Sequence, residues 1–119
     1  MNTIKSWAEE DRPREKMLAK GKESLSNAEL IAILIGSGNS NESAVDLSRR
    51  ILRDNNDNLI ELSKLSINDL LKYKGIGEAK AVTIAAALEL GRRRRFSEAL
   101  EKPCIRNSQL AYECFYAHL

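Results

Sequence analysis

A chain of 119 residues is one domain's length, enough to bury a single modest core. Hydrophobic residues make up 43% and charged residues 30%, while aromatics reach only 5%, so Leu, Ile and Ala must build the core and helices are favoured over a β-sandwich. The net charge of +2 is too small by itself to argue for nucleic acid.

Three further classes are set aside by pattern. The start, MNTIKSWAEEDRPRE, has no apolar stretch of signal-peptide type. The longest apolar run, Leu30 to Ile35, is far shorter than the about 20 residues that span a bilayer, so no membrane partner is expected. Cys104 and Cys114 have no CxxC spacing and no histidine cluster, which gives neither a disulfide framework nor a zinc site. A cytoplasmic protein with reduced thiols is expected.

In chain order, Pro13 suits a first helical position, and a short helix to Lys20 is stopped by Gly21. Ser26 and Glu29 form a capping box in front of LIAILI, and that helix ends at Gly36-Ser37-Gly38. After the polar loop Asn39-Ser40-Asn41, Ser43 caps a second helix with Asp46 in its first turn. Ala44, Leu47 and Ile51 lie on one face of it. The stretch DNNDN, Asp54 to Asn58, breaks this helix, and Leu59, Ile60 and Leu62 predict a short connector. Ser66 and Asp69 then head a helix to Tyr73, interrupted by Gly75-Ile76-Gly77. A long helix runs from about Glu78 to the arginines, with Ala81, Ile84, Ala85 and Leu88 as its buried stripe.

Superposing the two glycine pairs exposes a pseudo-repeat. Ile31 and Leu34 match Leu70 and Tyr73; after two extra residues in the first copy, Ala44 and Leu47 match Ala81 and Ile84. The expected fold is all-α: two helix–turn–helix units in a five-helix bundle, with an extra N-terminal helix packed outside. Residues 1–24 form the N-terminal arm, 25–95 the tandem domain, and 96–119 a linker.

Leu70-x-x-Tyr73-x-Gly75-Ile76-Gly77-x-x-x-Ala81-x-x-Ile84 resembles a helix-hairpin-helix motif. Glycines accept the backbone angles of so sharp a reversal, and Ile76 points between the helices. The amides of Gly77, Glu78 and Ala79 then face outward at a helix N-terminus, a place that favours an anion such as a nucleic-acid phosphate. Residues 59–95 carry eight basic and four acidic side chains, a net of +4, against −1 on either side. Lys72, Lys74 and Lys80 add a salt-dependent attraction that reads no base sequence. Lys74 and Lys80 are both expected to face solvent. Glu78 opposes a phosphate here, although it complements the helix dipole.

The candidate DNA-binding residues are therefore Lys72, Lys74, Gly75, Ile76, Gly77, Glu78, Ala79 and Lys80, with Arg92 and Arg93 from the run Arg92 to Arg95. The first turn, longer, near Glu42 and with no nearby lysine, reads as a structural partner. Tyr73 and Trp7 read as core or partly buried, His118 as solvated, and Ser26, Ser43 and Ser66 as caps rather than nucleophiles. No catalytic or metal-ligating residue is assigned. A purely structural turn between packed helices is the competing reading of the same residues.

DRPREKMLAKG (Asp11 to Gly21), LSNAELIAILIGSG (Leu25 to Gly38) and YKGIGEAKAVTIAAALELGRR (Tyr73 to Arg93) together resemble the N-terminal region of the RadC family of bacterial DNA repair proteins, UPF0758. The resemblance implies that a metalloprotease-like JAB/MPN domain follows, with zinc as its possible cofactor. The H-x-H-P-S-G stretch of that domain does not occur in this chain. PCIRNSQLAYECFYAHL resembles only its entry, an extended piece near Ile105 and a helix from Ser108, so a truncated chain without hydrolase activity of its own is expected. What the resemblance implies is a sequence-nonspecific DNA-binding module partnered by its own C-terminal domain. The alternative is a protein-interaction or regulatory scaffold for that domain.

Overall fold

The computed structural model describes residues 3–101, with side chains described for residues 11–98. The expected features at Ile105 and Ser108, together with Cys104, Cys114, His118 and the side chain of Trp7, lie outside the described residues. All regular structure among the described residues is helical.

The first helix, α1, spans Thr3–Lys20 and corrects the expected start at Pro13, which sits inside it. An internal proline lacks an N–H and crowds the carbonyl four residues back, at a cost of about 3 kcal/mol. Pro13 is fully buried, and burial of its ring offsets part of that cost. Gly21, at φ 91°, ends the helix, its N–H donating to the Met17 carbonyl at 2.8 Å. A 3₁₀ turn over Lys22–Ser24 follows, and Lys16 reaches Glu29 of the next helix at 3.2 Å.

Helix α2, Asn27–Ile35, opens on the expected capping box: Glu29 N–H donates to Ser26 Oγ at 3.2 Å and Ser26 N–H to Glu29 Oε1 at 2.8 Å. Gly36 closes it at φ 78°. Ser43 caps α3, Ala44–Asp54, by accepting from the Asp46 N–H. Asn56 and Asp57 then turn the chain in the left-handed region, φ 61° and 52°, which these two residue types tolerate better than most. Asn58 caps α4, Leu59–Ser63.

The capping box of Ser66 and Asp69 heads α5, Ile67–Leu71, which is shorter than expected. Lys72 and Tyr73 bond back three residues rather than four, to Asp69 and Leu70, so the α-helix tightens before Gly75. Helix α6, Glu78–Glu101, continues past the arginine run.

The described residues up to Ala86 form one compact unit, and from Ala87 the chain belongs to a second. The core of the first unit follows the pseudo-repeat. Ile31, Leu70, Ala44, Leu47, Ala81 and Ile84 are buried, and Leu34 and Tyr73 are half-buried in both copies alike. Truncating a core leucine such as Leu47 is worth roughly 2–5 kcal/mol. No helix among the described residues is long and apolar enough to cross a membrane.

Candidate nucleic-acid interface

Gly75-Ile76-Gly77 joins helices α5 and α6. Gly75 adopts φ 98°, a conformation that side chains resist. Ile76 donates its N–H to the Tyr73 carbonyl at 3.0 Å, and its side chain is buried. Gly77 caps α6, its carbonyl accepting from Ala81 at 2.9 Å. The N–H groups of Gly77, Glu78, Ala79 and Lys80 have no acceptor among the described residues. A methyl group added at Gly77 would meet nothing within 4 Å, so the approach to these amides is open. Glu78 and Ala79 are exposed beside them.

The three lysines behave differently. Lys72, just past the end of α5, faces Asp69 of that helix at 3.8 Å, an exposed pair of small energetic weight. Lys74 is exposed, and its Nζ donates to Ser40 Oγ at 3.4 Å. Lys80 is half-buried rather than fully solvent-facing, because its Nζ donates to both the carbonyl and the hydroxyl of Ser37, each at 3.0 Å. The expectation that the first turn has no lysine near it is thereby corrected: the lysines arrive from the second turn, more than thirty positions away in sequence.

The two turns interlock through Asn39. Its Nδ2 donates to the Lys74 carbonyl at 2.8 Å and to Glu42 Oε1 at 3.0 Å, while its Oδ1 accepts from the N–H groups of Asn41 and Glu42. Gly75 packs so closely on this loop that an added methyl would lie 2.9 Å from the Gly38 carbonyl oxygen. Glu42 in turn accepts from Arg50 Nε at 2.8 Å and Nη2 at 2.9 Å. These bonds from Arg50, then the bond from Asn39, hold the Glu42 carboxyl down to about 2. Arg50 also lies 5.3 Å from the centre of the Tyr73 ring, and the Tyr73 hydroxyl donates to Asp54 Oδ2 at 2.8 Å. Burial, followed by that bond and the charge of Asp54, pushes the phenol up to about 12. Asn39, Glu42, Arg50 and Tyr73 thus form a chain of contacts from the first turn to the second.

Arg92 and Arg93 belong to the second unit and share one carboxylate. Arg92 donates to Glu89 from Nε at 3.0 Å and Nη2 at 2.9 Å, and Arg93 from Nε at 2.9 Å. Glu89 is accordingly held down to about 2, first by Arg92 and then by Arg93. Arg94 pairs with Glu98 at 2.7 Å.

The family description "UPF0758 N-terminal" matches residues 4–82, which include both turns and the contacts between them. The chain belongs to the UPF0758 family. It is 60% identical over 109 residues to a UPF0758 protein of Flavobacterium johnsoniae, covering 92% of this chain and 47% of the relative. A UPF0758 protein of Porphyromonas gingivalis is 46% identical over 111 residues, covering 92% and 49%; one of Staphylococcus aureus is 51% identical over 90 residues, covering 76% and 39%. The chain spans about half the length of the curated relatives it matches. No solved structure matches it. The RadC resemblance read from the sequence is consistent with this family name.

In this UPF0758 chain the candidate residues Lys74, Gly75, Ile76, Gly77, Glu78, Ala79 and Lys80 run through the second turn into the start of α6, whereas Lys72 pairs with Asp69. Sequence reasoning missed Ser37, Asn39, Ser40, Glu42 and Arg50. The only local sign was an asparagine three residues before Glu42 in a polar loop, which fits a side chain that accepts from nearby amides. Its bond to Lys74 has no local sign at all.

Proposed function

We propose that the first unit of this chain is a sequence-nonspecific DNA-binding helix-hairpin-helix module, which contacts a backbone phosphate through the Gly75–Gly77 turn. The observation that carries the reading is the run of amides from Gly77 to Lys80, without acceptors among the described residues, in a segment that also carries Lys74 and Lys80. Amides at a helix N-terminus and its dipole both favour an anion. Lysine adds attraction by releasing counterions from DNA, and none of these groups reads base edges. Arg92 and Arg93, which belong to the second unit, are weaker phosphate-binding candidates in their own right, since Glu89 already neutralises part of their charge.

On this reading the protein is a cytoplasmic participant in DNA repair. We further propose that the module's partner is a JAB/MPN-type metal-dependent hydrolase domain, with zinc, which would lie in the part of the family's length that this chain does not cover. None of that hydrolytic chemistry is assigned to the residues described above.

Salt titrations with single-stranded, duplex and branched DNA test the reading. Lys74→Ala is expected to weaken binding to all sequences alike and to lower the slope of log affinity against log salt by about 0.7–0.9. Glu78→Gln removes a repulsive charge at nearly constant size and is expected to tighten binding. Affinities unmoved by both changes would leave the turn a structural element of a protein-interaction scaffold.

A further inference from the structure

Two hydroxyl groups of the first turn stand beside the lysines of the second. Lys80 Nζ donates to Ser37 Oγ at 3.0 Å, and Lys74 Nζ to Ser40 Oγ at 3.4 Å. In both pairs the serine accepts, and neither hydroxyl donates to any group among the described residues. A hydroxyl has one proton and two lone pairs, so an oxygen facing an ammonium turns its own proton elsewhere. Ser37 and Ser40 are both exposed, which leaves those protons to solvent. The neighbouring positive charge polarises each O–H and makes it a better donor to an anion. An anion drawn to either lysine therefore meets a second donor that belongs to the other hairpin.

We infer that Ser37 and Ser40 are phosphate-binding residues, Ser37 acting with Lys80 and Ser40 with Lys74. Donors from both hairpins then hold the DNA backbone. The inference builds on the phosphate-binding reading and adds the first turn, which the sequence treats as a structural partner only. It also gives the hydroxyls a role distinct from anchoring. If they merely held the lysines in place, removing them would free the ammonium groups, and binding would stay constant or tighten.

Fluorescence anisotropy of the full chain with a labelled, mixed-sequence DNA duplex, repeated across a salt series, separates these outcomes. Ser37→Ala and Ser40→Ala are each expected to lower affinity roughly threefold, the size of one modest hydrogen bond. The salt slope should keep its wild-type value, because a neutral hydroxyl displaces no counterion. Ser37→Thr, which keeps the hydroxyl, should restore affinity. Ser37→Ala should cost less in a Lys80→Ala background than in a Lys74→Ala background, since only the first pair is in contact. Wild-type or tighter binding by the serine variants, with Lys74→Ala and Lys80→Ala weakened, overturns the inference and leaves the phosphate reading standing. Lysine variants with wild-type affinity and slope overturn both. Serine variants that lose thermal stability and are not restored by threonine also overturn it, by showing that the hydroxyls act through the fold.

Discussion

The two turns of this UPF0758 chain share a matched set of buried apolar positions and differ in how their backbone polar groups are satisfied. Around the first, Asn39, Glu42 and Arg50 draw the side-chain and backbone groups of the loop into bonds among themselves. Around the second, the amides at the start of α6 face outward without an acceptor among the described residues. The matched core positions, Ala44 with Ala81 and Leu47 with Ile84, are buried in both. The matched core is thus common to both turns, while Asn39, Glu42 and Arg50 tie up the loop of the first and leave the Ser37 and Ser40 hydroxyls to solvent; at the second the backbone amides themselves lack acceptors among the described residues.

The sharpest way to break this comparison is at the glycines. A methyl group at Gly38 would overlap the Glu42 carbonyl oxygen and come within 2.6 Å of the Ser43 carbonyl carbon, both backbone atoms. Gly38→Ala is therefore expected to cost about 2–4 kcal/mol in urea denaturation. At Gly77 the same methyl has open space, and Gly77→Ala is expected to cost under about 1 kcal/mol as a change of helix cap. Equal losses at the two positions would mean that the turns are not different in closure.

Cutting the bond between the turns comes next. Asn39→Ser keeps a short acceptor for the loop amides but cannot reach the Lys74 carbonyl. A stability loss of about 1–2 kcal/mol is expected. Faster hydrogen exchange at the Ile76 amide in this variant would show the second turn loosening when the first releases it; unchanged exchange would show that the turns hold their shapes separately.

Acid tests the closure of the first turn. The Glu42 carboxyl is depressed from 4.5 to about 2 in the folded protein, so the folded state binds fewer protons than the unfolded state across that window. Stability supported by Glu42 is present above the unfolded value and is lost as pH falls from 4.5 to about 2. Glu29 and Asp69 are lowered as well, chiefly by the capping bonds of Ser26 and Ser66. Glu42→Gln should make the fall of thermal midpoint over this range shallower without abolishing it. An identical pH profile would show that the Arg50 pair adds nothing to the fold.

The smallest expected effect lies in the helices behind the turns. Ser48 of α3 is fully buried and its hydroxyl has no partner among the described residues, while the corresponding position in the second copy is Ala85. Ser48→Ala removes an unsatisfied polar atom and should raise stability by up to about 1 kcal/mol, read as a higher thermal midpoint. A lower midpoint would show that the hydroxyl contributes in a way the packing does not reveal.

Helix boundaries were legible where a cap announced them. Ser26, Ser43 and Ser66 each cap the helix expected of them, and Gly21 and Gly36 each end one. Pro13 misled because its preference for a first turn is a statistical expression of a missing N–H and a fixed φ, and neither prevents a buried ring from standing inside a helix. Tyr73 was placed in a helix because its apolar spacing continues that of Leu70, although the chain had already tightened for the coming reversal.

By itself the sequence determined the helices, their order, the glycine breaks between them and the matched buried positions, because caps, glycine stops and apolar stripes act between residues three or four apart. It also placed the open amides, which follow from where α6 begins. Only the tertiary structure decided what the lysines touch and what holds the second turn. The Asn39 bond to Lys74 spans 35 positions and the Lys80 bonds to Ser37 span 43, distances over which no local periodicity operates. Those contacts exist because two copies of one packing unit bring their glycines together. At that approach a carbonyl, an asparagine and two serines become neighbours of residues that share no pattern with them.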